Sequence, residues 1–353
     1  MLTHGGDLVG FAAQFGSAPL DFSVNTNPFG LSPLAAAALP RAAARACEYP
    51  DPLYRRLRAA IADHEELPAS QIACGNGAAD LIWRIVLALR PKHALITAPT
   101  FSEYEAALQF AGCRVHHYDL LAENDFLPDS GILSHIHPDT DLVFLCNPNN
   151  PTGLTTAPAL LERILKQCRN MGARLIVDEC FLRFLPDAAE KTMKPYLNDH
   201  KELLILKAFT KFYGMAGLRL GYCLCADADL LTAIGAAGQC WPVSIAAEEA
   251  GIAALQDHAF SKATIAYFPA ERARMKRAME QLGLRVWPGE ANYLFFYTDI
   301  PNYWQLLAEQ GFLLRDCSNY RGLTEGYYRT AILTPEKNDL LLAAMAKIRR
   351  NQP

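Results

Sequence analysis

With 353 residues, 51% hydrophobic and 20% charged, the chain has the composition of an ordinary globular protein, long enough for one large domain and a smaller one. A formal net charge of −4 leaves no electrostatic footprint for nucleic acid, and no apolar run reaches the length that spans a bilayer. The start, Met1-Leu2-Thr3-His4-Gly5-Gly6, lacks the basic region and apolar core of a signal peptide.

Ten scattered cysteines, several inside apolar runs (Cys146, Cys180, Cys223, Cys225), fit small reduced core residues better than a disulfide framework, so a cytoplasmic setting is expected. Cys223-Leu224-Cys225 has no second ligand pair at metal-site spacing, and no metal is expected.

Taken in order, residues 1–48 read as turn chemistry rather than a domain, with a short strand at Asp21-Phe22-Ser23-Val24 running into the turn Asn25-Thr26-Asn27-Pro28-Phe29-Gly30. The text changes near Asp51 to alternating helical and strand signals. A helix is predicted over 52–67 on the apolar positions Leu53, Leu57, Ala60 and Ile61. Ile72-Ala73-Cys74 then meets Gly75-Asn76-Gly77-Ala78-Ala79-Asp80, which opens an apolar helix over 81–89. A glycine turn feeding a helix N-terminus exposes unpaired N–H groups suited to a phosphate, although the same text also describes a plain capped turn.

The strand Leu95-Ile96-Thr97-Ala98 ends on Phe101, a ring that either stacks on a planar ligand, gaining about 1 kcal/mol, or belongs to the core. Leu142-Val143-Phe144-Leu145-Cys146 runs into Asn147-Pro148-Asn149-Asn150-Pro151-Thr152-Gly153, a loop whose prolines and glycine hold its amides in fixed directions. After a helix over 157–171, the strand over 174–181 carries Asp178 at its C-terminal end. A carboxylate there is costly without a cationic partner.

The apolar run 203–206 delivers Lys211 into a glycine-containing loop, which turns at Gly217 and re-enters an apolar run over 220–224. A lysine desolvated at a strand end loses some of its basicity, and its neutral amine can act as a Schiff-base nucleophile. Arg219, eight residues later in Gly217-Leu218-Arg219-Leu220-Gly221, supplies a cation for a phosphate from the same unit. Strand-then-helix alternation over 72–225 predicts an α/β fold, a mostly parallel sheet covered on both faces with its site at the strand ends. Beyond 243 the signals become helices over 246–256 and on through 282, strands at 293–297, 313–314 and 328–333, and helices over 301–310 and 335–349, read as a small α+β domain.

The stretch from Lys207 to Tyr222 resembles the cofactor-lysine segment of fold-type I pyridoxal-phosphate (PLP) enzymes, most of all the branch of histidinol-phosphate aminotransferases and threonine-phosphate decarboxylases. The resemblance runs from His4 to the terminal helix. It implies a large PLP-binding domain over 49–242, a small domain over 243–353 and an N-terminal segment, 1–48, packing on the small domain and the active site.

It further implies that Lys211 and Asp178 are catalytic, with Asp178 facing the cofactor's ring nitrogen. Gly77, Ala78, Ala79, Thr210 and Arg219 would lie around the cofactor phosphate, Phe101 (or less favourably Tyr104) on the ring, and Asn150 on the phenolic oxygen. Tyr49 would reach a neighbouring subunit's cofactor, which implies a homodimer. His4, Asn25, Arg315, Asn319, Arg321 and Arg329 would bind substrate, with Arg329 on the alpha-carboxylate. Relatives often carry a hydroxyl or acidic group where this chain has Ala79, and a serine where it has Ala208. Two side-chain contacts to the phosphate are therefore expected to be missing.

His4-Gly5-Gly6, the Asp21 to Pro28 motif, Phe181 in place of a tyrosine, and Cys317-Ser318-Asn319-Tyr320-Arg321-Gly322-Leu323 resemble the decarboxylases. The activity so implied is decarboxylation of L-threonine O-3-phosphate to (R)-1-amino-2-propanol O-2-phosphate, a cobamide-building step. The alternatives are L-serine O-phosphate as substrate, or a histidinol-phosphate-type aminotransferase.

Overall fold

The computed structural model describes residues 5–351. At its centre is a seven-stranded sheet of β1 (Ile72–Gly75), β2 (His93–Ala98), β3 (Arg114–Asp119), β4 (Leu142–Cys146), β5 (Arg174–Asp178), β6 (Leu203–Ala208) and β7 (Gly221–Cys225), in the order β1-β7-β6-β5-β4-β2-β3. Pairs from β3 through to β6 are parallel, while β7 runs antiparallel to both β6 and β1. The period-two alternation of each strand sorts its apolar residues onto two cores. Val143, Leu145, Leu175, Val177, Leu203 and Ile205 face one, and Phe144, Ile176, Leu204 and Leu206 face the other. Helices cover both faces, which is why these strands read as unbroken apolar runs.

The mostly parallel, doubly covered sheet expected from the sequence is therefore present. Several bounds shift for local reasons. The strand expected to reach 181 stops at Asp178, because the Cys180 N–H folds back 2.9 Å onto Asp178 Oδ1. The helix expected from 81 begins at Gly77, and that expected over 52–67 spans Arg55–Glu65, bracketed by left-handed Tyr54 and Glu66 (φ 48° and 55°). Residues 1–48 hold more than turns: helices Leu8–Phe15 and Pro33–Ala43 form there, the second starting on a proline and burying Ala35, Ala38 and Ala42. The edge strand β3 was not anticipated, since Arg114-Val115-His116-His117-Tyr118-Asp119 lacks an apolar run.

A four-stranded antiparallel sheet, ordered Arg315–Asp316, Tyr327–Ala331, Tyr293–Tyr297, Arg285–Val286, packs with helices His258–Gln281 and Pro335–Arg350. The N-terminal segment ties this sheet to the larger one. Leu20–Asp21 pairs in parallel with Phe312–Leu313, Ala331 N–H donates to Phe22 O (2.8 Å), and Asn27 N–H donates to Lys211 O (3.0 Å). No helix among the described residues is long and apolar enough to cross a membrane.

Candidate active site

A cavity of about 470 Å³ opens where β4, β5 and β6 end against the small sheet. β5 brings Asp178 to its wall, 5% exposed, with Oδ1 accepting the Cys180 N–H (2.9 Å) and Oδ2 the Tyr104 O–H (2.6 Å). Among the described residues no ion pair involves it. A buried carboxylate left so is stable only beside a cation that the chain does not itself supply.

Lys211 enters from the short helix Phe209–Phe212 that follows β6. Its side chain keeps some surface open to the cavity yet has protein on every side. Burial first, and the Arg329 guanidinium second, bring its ammonium down to about 8. It makes no hydrogen bond or ion pair through its amine among the described residues.

The anion end is built from backbone. Helix Gly77–Leu89 starts at the cavity, and its first N–H groups have no intrahelical acceptor. Asp80 does not occupy that end, because it turns back to the Asn76 N–H (2.9 Å) and pairs with Arg84 (2.9 Å). Arg219, itself left-handed (φ 60°), lays its guanidinium over Gly77: a Cβ at Gly77 (φ +82°) would stand 2.9 Å from Nη2. A Cβ at Gly221 would meet the Ala78 nitrogen at 2.6 Å, so that glycine lets β7 pass under the helix start. Ala78, Ala79, Ala208, Thr210 and Arg219 line the cavity; Gly77 lies just behind them. The donor set suits a phosphate held by N–H groups and one guanidinium, with methyl groups at positions 79 and 208.

Phe101 and Tyr104 separate clearly. Phe101 faces the cavity, whereas Tyr104 is 0% exposed beneath it, edge-on to Phe101 (5.6 Å, 85°) and stacked on Phe144 (4.9 Å, 11°). Of the two, Phe101 is the one at the cavity wall. Across the cavity the 147–153 loop is knit by Thr100 Oγ1 to Asn149 Oδ1 (2.9 Å), Asn149 Nδ2 to Pro99 O (3.0 Å) and Tyr293 O–H to Asn149 O (2.7 Å). Asn150 lines the cavity and accepts from Arg329 through Oδ1, and its Nδ2 donates no hydrogen bond among the described residues.

Arg329 also donates through Nη2 to Ser23 O (2.7 Å), and its Nε has no partner among the described residues. Directly across the small sheet stands Arg315, the register partner of Arg329. Both are buried (5% and 6% exposed) and both line the cavity. Like charges directly opposite on a sheet destabilise it. The pair sets two guanidiniums at the wall of one cavity, which suits it to anionic groups. Arg315 is oriented by Asn319 Oδ1 (2.9 Å) and lies over the Tyr320 ring (5.1 Å). Asn25 also lines the cavity, with neither its amide oxygen nor its nitrogen partnered among the described residues.

Three expected residues stand apart. Asn319 and Arg321 line an adjoining pocket of about 70 Å³ rather than this cavity; Arg321 is drawn outward by Asp119 at the end of β3 (3.3 Å). Tyr49 is 78% exposed, packs on Trp241 (4.6 Å between rings) and does not line this cavity. His4 lies outside the described residues.

Ser23, Glu103, Cys180 and Tyr320 also line the cavity and were not anticipated. Ser23 acts through its carbonyl, for which a side-chain pattern gives no signal, and Tyr320 sat unread within the motif that supplied Asn319.

Behind Ala208 and Cys180 lies a second cavity of about 200 Å³. Lys207 Nζ there sits 3.1 Å from both oxygens of Glu65 and 3.8 Å from Glu179. Lys194 Nζ donates to Glu65 O (2.9 Å), and Tyr222 O–H donates to Glu65 Oε1.

Residues 17–345 match the family model described as aminotransferase class I and II. The chain is 38% identical over 352 residues to a threonine-phosphate decarboxylase of Salmonella typhimurium, covering 98% of this chain and 96% of that protein. Among solved structures it superposes on the histidinol-phosphate aminotransferase from Clostridium acetobutylicum with a TM-score of 0.89 (28% identity, 94% and 100% of the two chains). It superposes on L-threonine-O-3-phosphate decarboxylase from Porphyromonas gingivalis with a TM-score of 0.81 (26% identity, 93% and 98%).

Proposed function

We propose, for a chain that belongs to the aminotransferase class I and II family, PLP-dependent decarboxylation of L-threonine O-3-phosphate to (R)-1-amino-2-propanol O-2-phosphate, a building block of cobamides. The observation that carries this reading is the cross-strand pair Arg315 and Arg329, two buried guanidiniums at one cavity beside a lysine and an unpaired carboxylate. A phosphorylated amino acid has two anionic ends to answer them. The near full-length likeness to a threonine-phosphate decarboxylase supports the same reading.

When bound, PLP supplies an aldehyde for an amine and a pyridine ring that, protonated, draws electrons from the substrate's alpha carbon. The chain's residues fit that group. Asp178 would keep a ring N–H charged, Phe101 would cover the ring, and Asn150 would donate to the phenolic oxygen. Arg219 would take the phosphate with the N–H groups of Ala78 and Ala79, Thr210 and Gly77 lying beside and behind them. Lys211, whose ammonium burial lowers to about 8, holds a far larger share of neutral amine near neutral pH than an ordinary lysine does, and the remaining ammonium can return a proton.

Arg329, fixed by Ser23 O and Asn150, holds the carboxylate; Arg315 and Asn25 hold the substrate's phosphate, with Asn319 keeping Arg315 in place. Two anchors would fix the orientation of the substrate, and remote binding energy would select the bond to break. Carbon dioxide leaves with its bonding electrons left on the alpha carbon, and a proton from Lys211 Nζ takes its place.

The reading includes a homodimer, with Tyr49 and Trp241 on the shared face, and a cytoplasmic location suited to ten free thiols. Light scattering on the purified protein is expected to give twice the mass of one chain. The deciding experiment is product analysis with PLP present. Phosphothreonine is expected to release carbon dioxide without a 2-oxo acid, faster than phosphoserine, and unphosphorylated threonine to react far more slowly. Amino transfer from histidinol phosphate to 2-oxoglutarate, with no carbon dioxide from either phosphoamino acid, would replace the decarboxylase reading by the aminotransferase one.

A further inference from the structure

Asp178 has two oxygens, and both are held by protein donors before any ligand arrives: Oδ1 by the Cys180 N–H at 2.9 Å and Oδ2 by the Tyr104 hydroxyl at 2.6 Å. The first is a backbone contact two residues away and comes with the turn that ends β5. The second reaches across the fold from helix Ser102–Phe110, 74 residues away in sequence. Tyr104 cannot touch a ligand, because Phe101 lies between it and the cavity and no part of it is exposed.

We infer that Tyr104 is a positioning residue for the reaction: its hydroxyl fixes the plane of the Asp178 carboxylate, and its ring fixes the tilt of Phe101. This deepens the reading above and rests on it. A hydroxyl donating to a carboxylate is a short, charge-assisted bond with a strong directional demand. Its ring is clamped between two others, parallel to Phe144 at 4.9 Å and edge-on to Phe101 at 5.6 Å, which holds the hydroxyl against Asp178 with the Cys146 thiol as its one other polar neighbour among the described residues. Burial pushes the phenol well above its usual range, with Asp178 adding to the shift, so the group stays a donor at every working pH. The side chain that orients the acid at the ring's edge thus also supports the aromatic at the ring's face. Both contacts are set three residues apart at one helix start, which couples them rigidly.

The test is a double-mutant cycle on the PLP-loaded enzyme, with cofactor affinity measured by titrating the apoprotein with PLP and following its visible absorption. Tyr104→Phe keeps the ring and removes the donor. It is expected to lower kcat and weaken PLP affinity by about tenfold each, as loss of a hydrogen bond to a charged group does, with KM little changed. In an Asp178→Asn background the same substitution is expected to cost less than about twofold, because the group it acts through has gone.

Values for Tyr104→Phe within about twofold of wild type in both kcat and affinity would overturn the inference, as would an undiminished loss in the Asp178→Asn background, which signals packing alone. Should the wild type bind PLP but release no carbon dioxide, the affinity arm still decides the inference while the functional reading fails.

Discussion

Asp178 and Glu179 are neighbours at the end of β5, and Lys207 and Lys211 stand four residues apart at the end of β6, yet the two acid and lysine sets meet opposite fates. Strand alternation sends Glu179 and Lys207 to one face of the sheet and Asp178 to the other. On the Glu179 face the buried carboxylates each meet a lysine. Lys207 sits between Glu65 and Glu179, and Thr192 Oγ1 and the Met193 N–H each donate to Glu179 at 2.7 Å. Burial alone would raise Glu65, but the Lys207 ammonium and the Tyr222 hydroxyl more than offset it and hold the carboxyl at about 2. Glu179, where burial outweighs the help of Lys207, stays raised.

On the Asp178 face the chain supplies hydrogen bonds to Asp178 and Arg329 but no opposite charge. Asp178, Lys211, Arg219 and Arg329 have no ion-pair partner among the described residues. Leaving charges buried and unpaired weakens a fold, and a set of them around one cavity is matched by a ligand carrying the complementary groups. One face is scaffold and the other is site, and pairing, not burial, distinguishes them.

Four substitutions or titrations bear on that contrast. Lys211→Ala should abolish turnover, a loss of about a thousandfold or more, since the amine and the proton it returns are both removed, while the melting temperature holds or rises. Near-normal rates on the PLP-supplemented variant would dissolve the distinction.

Asp178→Asn is expected to keep the fold and lower kcat by about a hundredfold or more, because an opposite charge at about 4 Å is worth about 4 kcal/mol at an effective dielectric of 20. Rates within a few-fold of wild type would contradict the role.

Lys207→Met should do the reverse. Removing the cation leaves Glu179 without one and Glu65 with only Lys194 at 3.7 Å, and is expected to cost about 3–5 kcal/mol in denaturant unfolding, while kcat of the folded fraction stays within a few-fold. A catalytic collapse at unchanged stability would place Lys207 in the site.

The smallest effect is a titration. With its folded-state value near 8 rather than 10.5, Lys211 should gain reactivity toward an aldehyde as pH rises through 8 and level off above it. In the apoprotein the same group makes the fold progressively more stable between pH 8 and 10.5, where the unfolded chain still binds a proton that the folded one has released. Labelling of the amine with a midpoint near 10.5 would show that the folded environment leaves it unaltered.

Much of the architecture was legible because it is local. The apolar runs of β4, β5 and β6 and the punctuation at Asn147 to Gly153 and at Gly217 identify the strands and their ends without reference to the rest of the chain. β3 was missed for the converse reason: an edge strand half open to solvent carries no continuous apolar signal, and its pairing with β2 supplies what the sequence does not.

The sequence by itself determined which side chains exist to do chemistry and which strand end carries each of them, since strand periodicity and turn residues act over a few positions. Only the tertiary structure decided the partners: that Phe101 faces the cavity while Tyr104 lies beneath it on Asp178, that Arg315 and Arg329 oppose one another, and that Arg321 turns away to Asp119. It also decided that Lys207 is spent on Glu65 while Lys211 is left for a ligand. The physical reason is range. Hydrogen bonds and desolvation act over a few ångströms, and which groups come that close is fixed by packing between segments far apart in the chain.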